Sequence, residues 1–329
     1  MPRSCRRWCG RSTPARRWPR HPPELWKCKA FACLIGPLET AVSVTIESHA
    51  SRLAVTTEFL FTDHDFSRIR TLIHRRAGIA LGEQKRQMVY SRLSRRLREL
   101  QVPAFASYLD QLEARHDGDE WQLFINALTT NLTSFFREAH HFPTLGAHVR
   151  KMPGPITVWC AAASTGEEPY SIAITLMEAL GDRASSARVI ASDIDTAVLA
   201  KAATGVFTTE QVRRMSPERL RRFFNKGTGT NAGKVRVRPE VAALVKFSRV
   251  NLLDNTWAVK EPVDAIFCRN VMIYFDKPTQ KKVLDRFAPL LKPGGLLFAG
   301  HSENASLVNP AFRPLGQTVY ELSRTPGTA

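Results

Sequence analysis

The apolar positions of this chain follow a helical period first and a strand period later. Phe66, Ile69, Ile73 and Ala77 recur at i, i+3, i+7 and i+11, and Gly78 is placed to end that helix. Leu93, Leu97 and Leu100 form the apolar side of a second helix, and Trp121, Phe124, Ile125 and Leu128 that of another. An all-α N-terminal domain is therefore expected over residues 56–138, with 139–155 as a linker. From Ile156 short apolar runs alternate with helical stretches. Residues 156–159 suit a buried strand, followed by a helix that Pro169 opens and Gly181 closes. A second strand is expected at 187–192, then a helix at 196–204 ended by Gly205. This alternation predicts an α/β fold, a doubly wound Rossmann-type sheet over 156–325.

At about 206–245 the alternation breaks. Ser216-Pro217-Glu218 is a helix start, and the turn GTGTNAG, with Gly227, Gly229 and Gly233, leads into KVRVRPEV. There Val235 and Val237 alternate with Lys234, Arg236 and Arg238, the pattern of a half-exposed strand. A small inserted antiparallel β-subdomain is expected, either offering an edge to a peptide or forming a plain surface excursion. The doubly wound pattern then resumes with strands at 244–250 and 263–268 and a helix opened by Asp276. Lys292-Pro293-Gly294-Gly295 turns the chain into a further strand, and 318–322 supplies the last.

Candidate chemistry concentrates at the first strand-to-helix turn. Ala161, Ala162, Ala163, Ser164 and Gly166 let a ligand approach the backbone. A G-x-G-x-x-G loop is absent, and Glu167 and Glu168 stand at the helix N-terminus. Two carboxylates there would repel a pyrophosphate but tolerate a cationic or zwitterionic nucleoside. That points away from NAD and towards S-adenosylmethionine; an ordinary turn with two solvated glutamates is the plainer alternative. Asp193, closing the second strand, can accept hydrogen bonds from both ribose hydroxyls, whereas Asp193 or Asp195 can also cap the helix that follows. Two aspartates allow both roles. Arg269 and Asn270, after the 263–268 strand, stand where ligand contacts are expected.

The net charge of +17 invites a nucleic-acid or anionic-membrane reading. Ten Lys and Arg against Glu24, Glu39 and Glu47 give residues 1–55 a surplus of +7, so part of the excess belongs to an Arg- and Pro-rich extension expected to be disordered. Translation starting further in is an alternative account of it. Cys5, Cys9, Cys28 and Cys33 within it only loosely suggest a zinc site. No run reaches the roughly 18 apolar residues of a membrane span, and Cys160 and Cys268 read as reduced thiols. A cytoplasmic protein without membrane insertion is expected. Arg92, Arg95 and Arg98 project from one helix at spacing three, with Lys85, Arg86 and Arg96 nearby. This is either a solvated face or a stripe that docks an acidic partner. Between the domains, Asn131, Thr133 and Ser134 favour turns, and Arg137 is placed to reach the cleft. His140 and His141 lack a neighbouring ligand cluster, so no metal is expected.

NLTSFFREAHHF, AAASTGEEPYSIA, ASDID, VNLL, FCRNVMIYFD and LKPGGLLFAGHSEN together resemble the CheR family of chemotaxis receptor methyltransferases, roughly over residues 56–323. The resemblance implies transfer of a methyl group from S-adenosylmethionine to glutamates in the cytoplasmic helices of chemoreceptors, giving methyl esters and S-adenosylhomocysteine. It implies Asn131, Thr133, Arg137, Glu168, Asp193, Asn251, Leu252, Arg269 and Asn270 around the cofactor, with Arg137 and Tyr274 at the reacting end. Tyr274 alternatively packs in the core beside Ile273 and Phe275. In some family members the β-subdomain captures a peptide at the receptor C-terminus, which would involve Gly227, Gly229 and Gly233. A monomer is expected. Two other classes are a silent receptor-binding adaptor and a nucleic-acid methyltransferase; against the latter, RNVMIYF stands where the Asn/Asp-Pro-Pro-aromatic motif would be, so no nucleic acid is expected.

Overall fold

The computed structural model describes residues 58–115 and 118–323. The expectations for residues 1–55, including the four cysteines there, lie outside the described residues. Four helices come first: α1 (Asp63–Ala77), α2 (Arg86–Leu100), α3 (Phe105–Ala114) and α4 (Asp119–Leu128). The start of α1 is fixed by a reciprocal cap. The Thr62 hydroxyl accepts from the Asp65 N–H, and the Asp65 carboxylate accepts from the Thr62 N–H. Gly78 ends α1 at φ 71°. The apolar faces predicted for α1, α2 and α4 meet in one core with Phe105, Tyr108, Leu109 and Leu112 of α3.

Residues 139–155, expected as a linker, instead carry α5 (His141–Arg150). Phe142, Leu145 and Val149 are buried in the core on the sheet's flank, and His141 is fully buried with them. Pro143 does not prevent this, because a proline in the first helical turn removes no hydrogen bond.

The main sheet has seven strands. They are β1 (Thr157–Cys160), β2 (Arg188–Asp193), β6 (Val245–Arg249), β7 (Val263–Cys268), β8 (Leu291–Ala299), β9 (Phe312–Gly316) and β10 (Val319–Leu322), in the order β6-β2-β1-β7-β8-β10-β9. The first five pair in parallel, and β10 runs antiparallel to both β8 and β9. The chain leaves β1 towards β2 and later returns to its other side as β7, so the order reverses between β1 and β7. Crevices at such a reversal receive ligands. Two helices, α6 (Glu167–Leu180) and α7 (Thr196–Thr204), connect the first half, and α10 (Lys277–Phe287) connects β7 to β8.

Between α7 and β6 lie α8 (Pro217–Phe223), α9 (Pro239–Ala242) and a separate antiparallel sheet. That sheet comprises β3 (Val206–Thr208), β4 (Phe224–Lys226) and β5 (Lys234–Val237), in the order β3-β5-β4. Val235 and Val237 face the main core while Lys234 and Arg236 are exposed, as alternation demands. The Lys292–Gly295 stretch, expected as a turn, belongs to β8 itself. A register irregularity opposite Val263 and Ala265 accommodates it, with Gly294 at φ 76°.

Candidate functional site

A cavity of about 360 Å³ opens between the helical domain and the carboxyl ends of β1, β2, β6 and β7. Asn131, Thr133, Arg137, Glu168, Asp193, Asn251, Leu252, Arg269, Asn270 and Tyr274 all line it, together with Ala161, Ala162 and Ser164. Residues up to 143 positions apart in sequence thus share one wall.

The turn after β1 is held tightly enough to require glycine. Gly166 has φ 102°, and a Cβ there would stand 3.0 Å from the Ala202 Cβ. The two glutamates that follow diverge. Glu167 accepts from the Thr165 hydroxyl and from Gln211, beside the small sheet. Glu168 turns inward, where its Oε2 lies 2.8 Å from Arg269 Nη1 and its Oε1 accepts from the Cys160 thiol. Burial pushes the Glu168 carboxyl above the usual carboxylate range, although Arg269 pulls the other way. Burial likewise raises the Cys160 thiol, so it stands as an inert proton donor.

Arg269 has no exposed side-chain surface and lies between two carboxylates. Besides Glu168, it stands 3.3 Å from Glu138 Oε2 and donates to the carbonyl of Arg137. Burial would push the Glu138 carboxyl up, but Arg269 and hydrogen bonds from Asn270 and His301 outweigh this and hold it low. Glu168 and Asp193 give the cavity wall two carboxylates, set among Lys85, Arg137 and Arg269, while Glu138 pairs with Arg269 from behind that wall. The carboxylates can accept from an ammonium group or from ribose hydroxyls and the neighbouring cations can pair with a ligand carboxylate, the combination a zwitterionic nucleoside requires.

The two aspartates divide the roles that sequence left open. Asp193 is 8% exposed and accepts from the Ser164 N–H at 2.8 Å and the Asp195 N–H at 3.0 Å, and burial raises its pKa. Asp195 caps α7 through Ala197 and Val198, and its other oxygen accepts from the Thr129 hydroxyl and the Asn131 amide. The Asn131 amide therefore anchors the connector rather than reaching across the cavity, while its carbonyl accepts from Ser164 Oγ. Asn251 is similar. Its amide donates to the Arg76 carbonyl at 2.7 Å, pinning the loop after β6 to the end of α1, and Leu252 supplies an apolar wall. Tyr274 lines the cavity and is half-buried against the helical domain's core, whereas its neighbour Ile273 is exposed and Phe275 packs in a different cluster.

The arginine stripe is not continuous. Arg92 donates through Nη1 to the carbonyls of Ala127 and Thr129, satisfying the end of α4. Arg95 is 77% exposed and pairs with Glu99, and Arg98 pairs with Glu58. In the small sheet, Gly229 and Gly233 hold φ of 58° and 80°, and a Cβ on Gly227 would lie 2.1 Å from the Asn231 carbonyl oxygen. All three glycines shape the loop between β4 and β5.

Two acidic residues that brace the cavity wall from behind were not among the candidate residues read from the sequence. Glu138 is one. Glu303 is the other, a buried carboxylate accepting from the N–H groups of Gly300, Asn270 and Ile273. Their only sequence signal was a lone acid within FFREAHHF and GHSEN.

Two family models match the chain. One, described as "CheR methyltransferase, SAM binding domain", matches residues 131–321. The other, "CheR methyltransferase, all-alpha domain", matches residues 64–129. A protein of Salmonella typhimurium named chemotaxis protein methyltransferase is 58% identical over 272 residues, covering 83% of this chain and 94% of that one. Proteins of the same name from Klebsiella aerogenes and Escherichia coli are 56% and 55% identical, covering 87% and 83% of this chain and 99% and 95% of theirs.

Proposed function

The chain belongs to the CheR methyltransferase family, and on that premise we propose that it methylates glutamate side chains in the cytoplasmic part of chemoreceptors. The products would be glutamyl methyl esters and S-adenosylhomocysteine. The observation that carries the reading is the cavity at the β1/β7 reversal, where Glu168 and Asp193 stand among Lys85, Arg137 and Arg269 and Tyr274 lines the wall. When bound there, S-adenosylmethionine supplies an activated methyl group on a sulfonium.

The chain's own residues then have limited work to do. A glutamate acceptor is already ionised near neutral pH, so no general base is needed to create the nucleophile. Orientation and exclusion of water remain. Glu168 offers a carboxylate to the cofactor's ammonium end, and Asp193 offers one to the ribose. Arg137 uses one donor on the Leu132 carbonyl at 2.8 Å. Its other donors orient the acceptor carboxylate by charge-assisted hydrogen bonds, and Tyr274 shapes the wall opposite. Holding the acceptor too firmly would quench it, so Arg137 acts by direction rather than by tight binding.

The edges left by the order β3-β5-β4 suit an extended receptor peptide, with the Gly227–Gly233 loop beside the β4 edge. The experiment for the central reading is mass spectrometry of a receptor cytoplasmic fragment after incubation with the enzyme and S-adenosylmethionine. Methyl groups on glutamate carboxyls support it. Methyl groups on amines or amides would overturn it.

A further inference from the structure

The connector between the helical domain and α5 turns sharply at the residue the site depends on. Phe136 and Glu138, on either side of Arg137, both hold left-handed φ, at 52° and 53°. Side chains with a Cβ adopt that conformation only where surrounding structure enforces it. The Glu138 carboxylate supplies much of the enforcement. Its Oε1 accepts from Asn270 Nδ2 and from the His301 N–H, each at 3.2 Å. Its Oε2 lies 3.3 Å from Arg269 Nη2 and 3.8 Å from His141 Nδ1. The same guanidinium donates to the Arg137 carbonyl. One side chain, 13% exposed, thus fastens the connector to the chain after β7 and to the chain after β8.

Glu138 does not line the cavity, whereas Arg137 does. We propose that Glu138 is a positioning residue for methyl transfer: it fixes the backbone of Arg137 so that the guanidinium meets the acceptor carboxylate in line with the methyl group. This rests on the reading of Arg137 given above. A displacement of about 1 Å at a reacting group can cost on the order of 100-fold in rate without a contact to substrate being lost.

The test is a double-mutant cycle of Glu138→Ala and Arg137→Ala, read as kcat, as KM for the receptor fragment, and as S-adenosylhomocysteine affinity by calorimetry. In the wild-type background Glu138→Ala is expected to lower kcat by about 10- to 100-fold while changing product affinity by less than about threefold. In the Arg137→Ala background it should add less than about threefold, because the group it positions is gone. Glu138→Gln keeps an oxygen for Asn270 and His301 and should recover much of the rate; it carries the same cycle should the alanine variant fail to fold. Equal losses in both backgrounds, or a loss confined to cofactor affinity, would overturn the proposal and leave the reading of Arg137 standing. An unchanged kcat in Arg137→Ala would overturn both.

Discussion

Replacing Asp193 by alanine separates cofactor binding from scaffolding, because the structure gives its carboxylate two internal duties. It accepts from the Ser164 and Asp195 N–H groups at 2.8 and 3.0 Å. Orphaning one buried donor costs about 1–3 kcal/mol, and water entering the space left by the carboxylate offsets part of this. A stability loss of about 2–4 kcal/mol is expected for the pair. Binding should suffer separately. A carboxylate hydrogen-bonded to ribose contributes about 1.5–3 kcal/mol, so Asp193→Ala should weaken S-adenosylhomocysteine by roughly 10- to 150-fold. Asp193→Asn retains one acceptor oxygen, so its stability loss should be smaller than its affinity loss. The assay is titration calorimetry of the product beside urea unfolding of the same samples. A normal dissociation constant with lowered stability would make Asp193 a scaffold for the turn after β1 and remove it from the ligand site.

Other perturbations test other parts of the site. Burial and the neighbouring Arg269 charge lower the His141 pKa to about 4. The unfolded chain therefore takes up this proton first, and stability is lost as pH falls from about 6.5 towards 4. Between pH 7 and 5 that amounts to about 2 kcal/mol; urea unfolding of His141→Gln should show a flatter acid limb, and an unchanged limb would refute the assignment. Gly166→Ala places a Cβ at φ 102° against Ala202 and should destabilise by more than about 2 kcal/mol, measured by denaturant midpoint. Charge reversal of Arg95 and Arg98 should slow receptor methylation and spare cofactor affinity, and unchanged rates would return them to a solvated face. Arg92→Ala should instead lower the unfolding midpoint, because it strips hydrogen bonds from the carbonyls of Ala127 and Thr129.

Local punctuation decided what sequence could show. The helix α7 occupies the expected 196–204 because Asp195 caps it and Gly205 ends it in a left-handed conformation. The strand β7 spans the expected 263–268 because a strand buried on both faces reads as one apolar run. By contrast, α5 was hidden by Pro143, Gly146 and buried His141, none of which marks an apolar face. Helix α3 went unread although Phe105, Tyr108, Leu109 and Leu112 share its buried side, since no side-chain cap marks its start and no glycine its end. Strand β9 is mostly exposed and contains Pro314, which an edge strand tolerates but a periodicity search discounts. The residues that line the cavity were legible because a doubly wound sheet opens its crevice at known strand ends. Glu138 was not. Its hydrogen bond to Asn270 spans 132 positions, and no local pattern encodes that pairing.

The most direct check on the central claim is transfer of labelled methyl from S-adenosylmethionine to membranes containing chemoreceptors, followed by mild alkali. A carboxyl methyl ester predicts label in the receptor band that alkali releases as methanol. Label that resists alkali would place the methyl group on nitrogen and contradict the account.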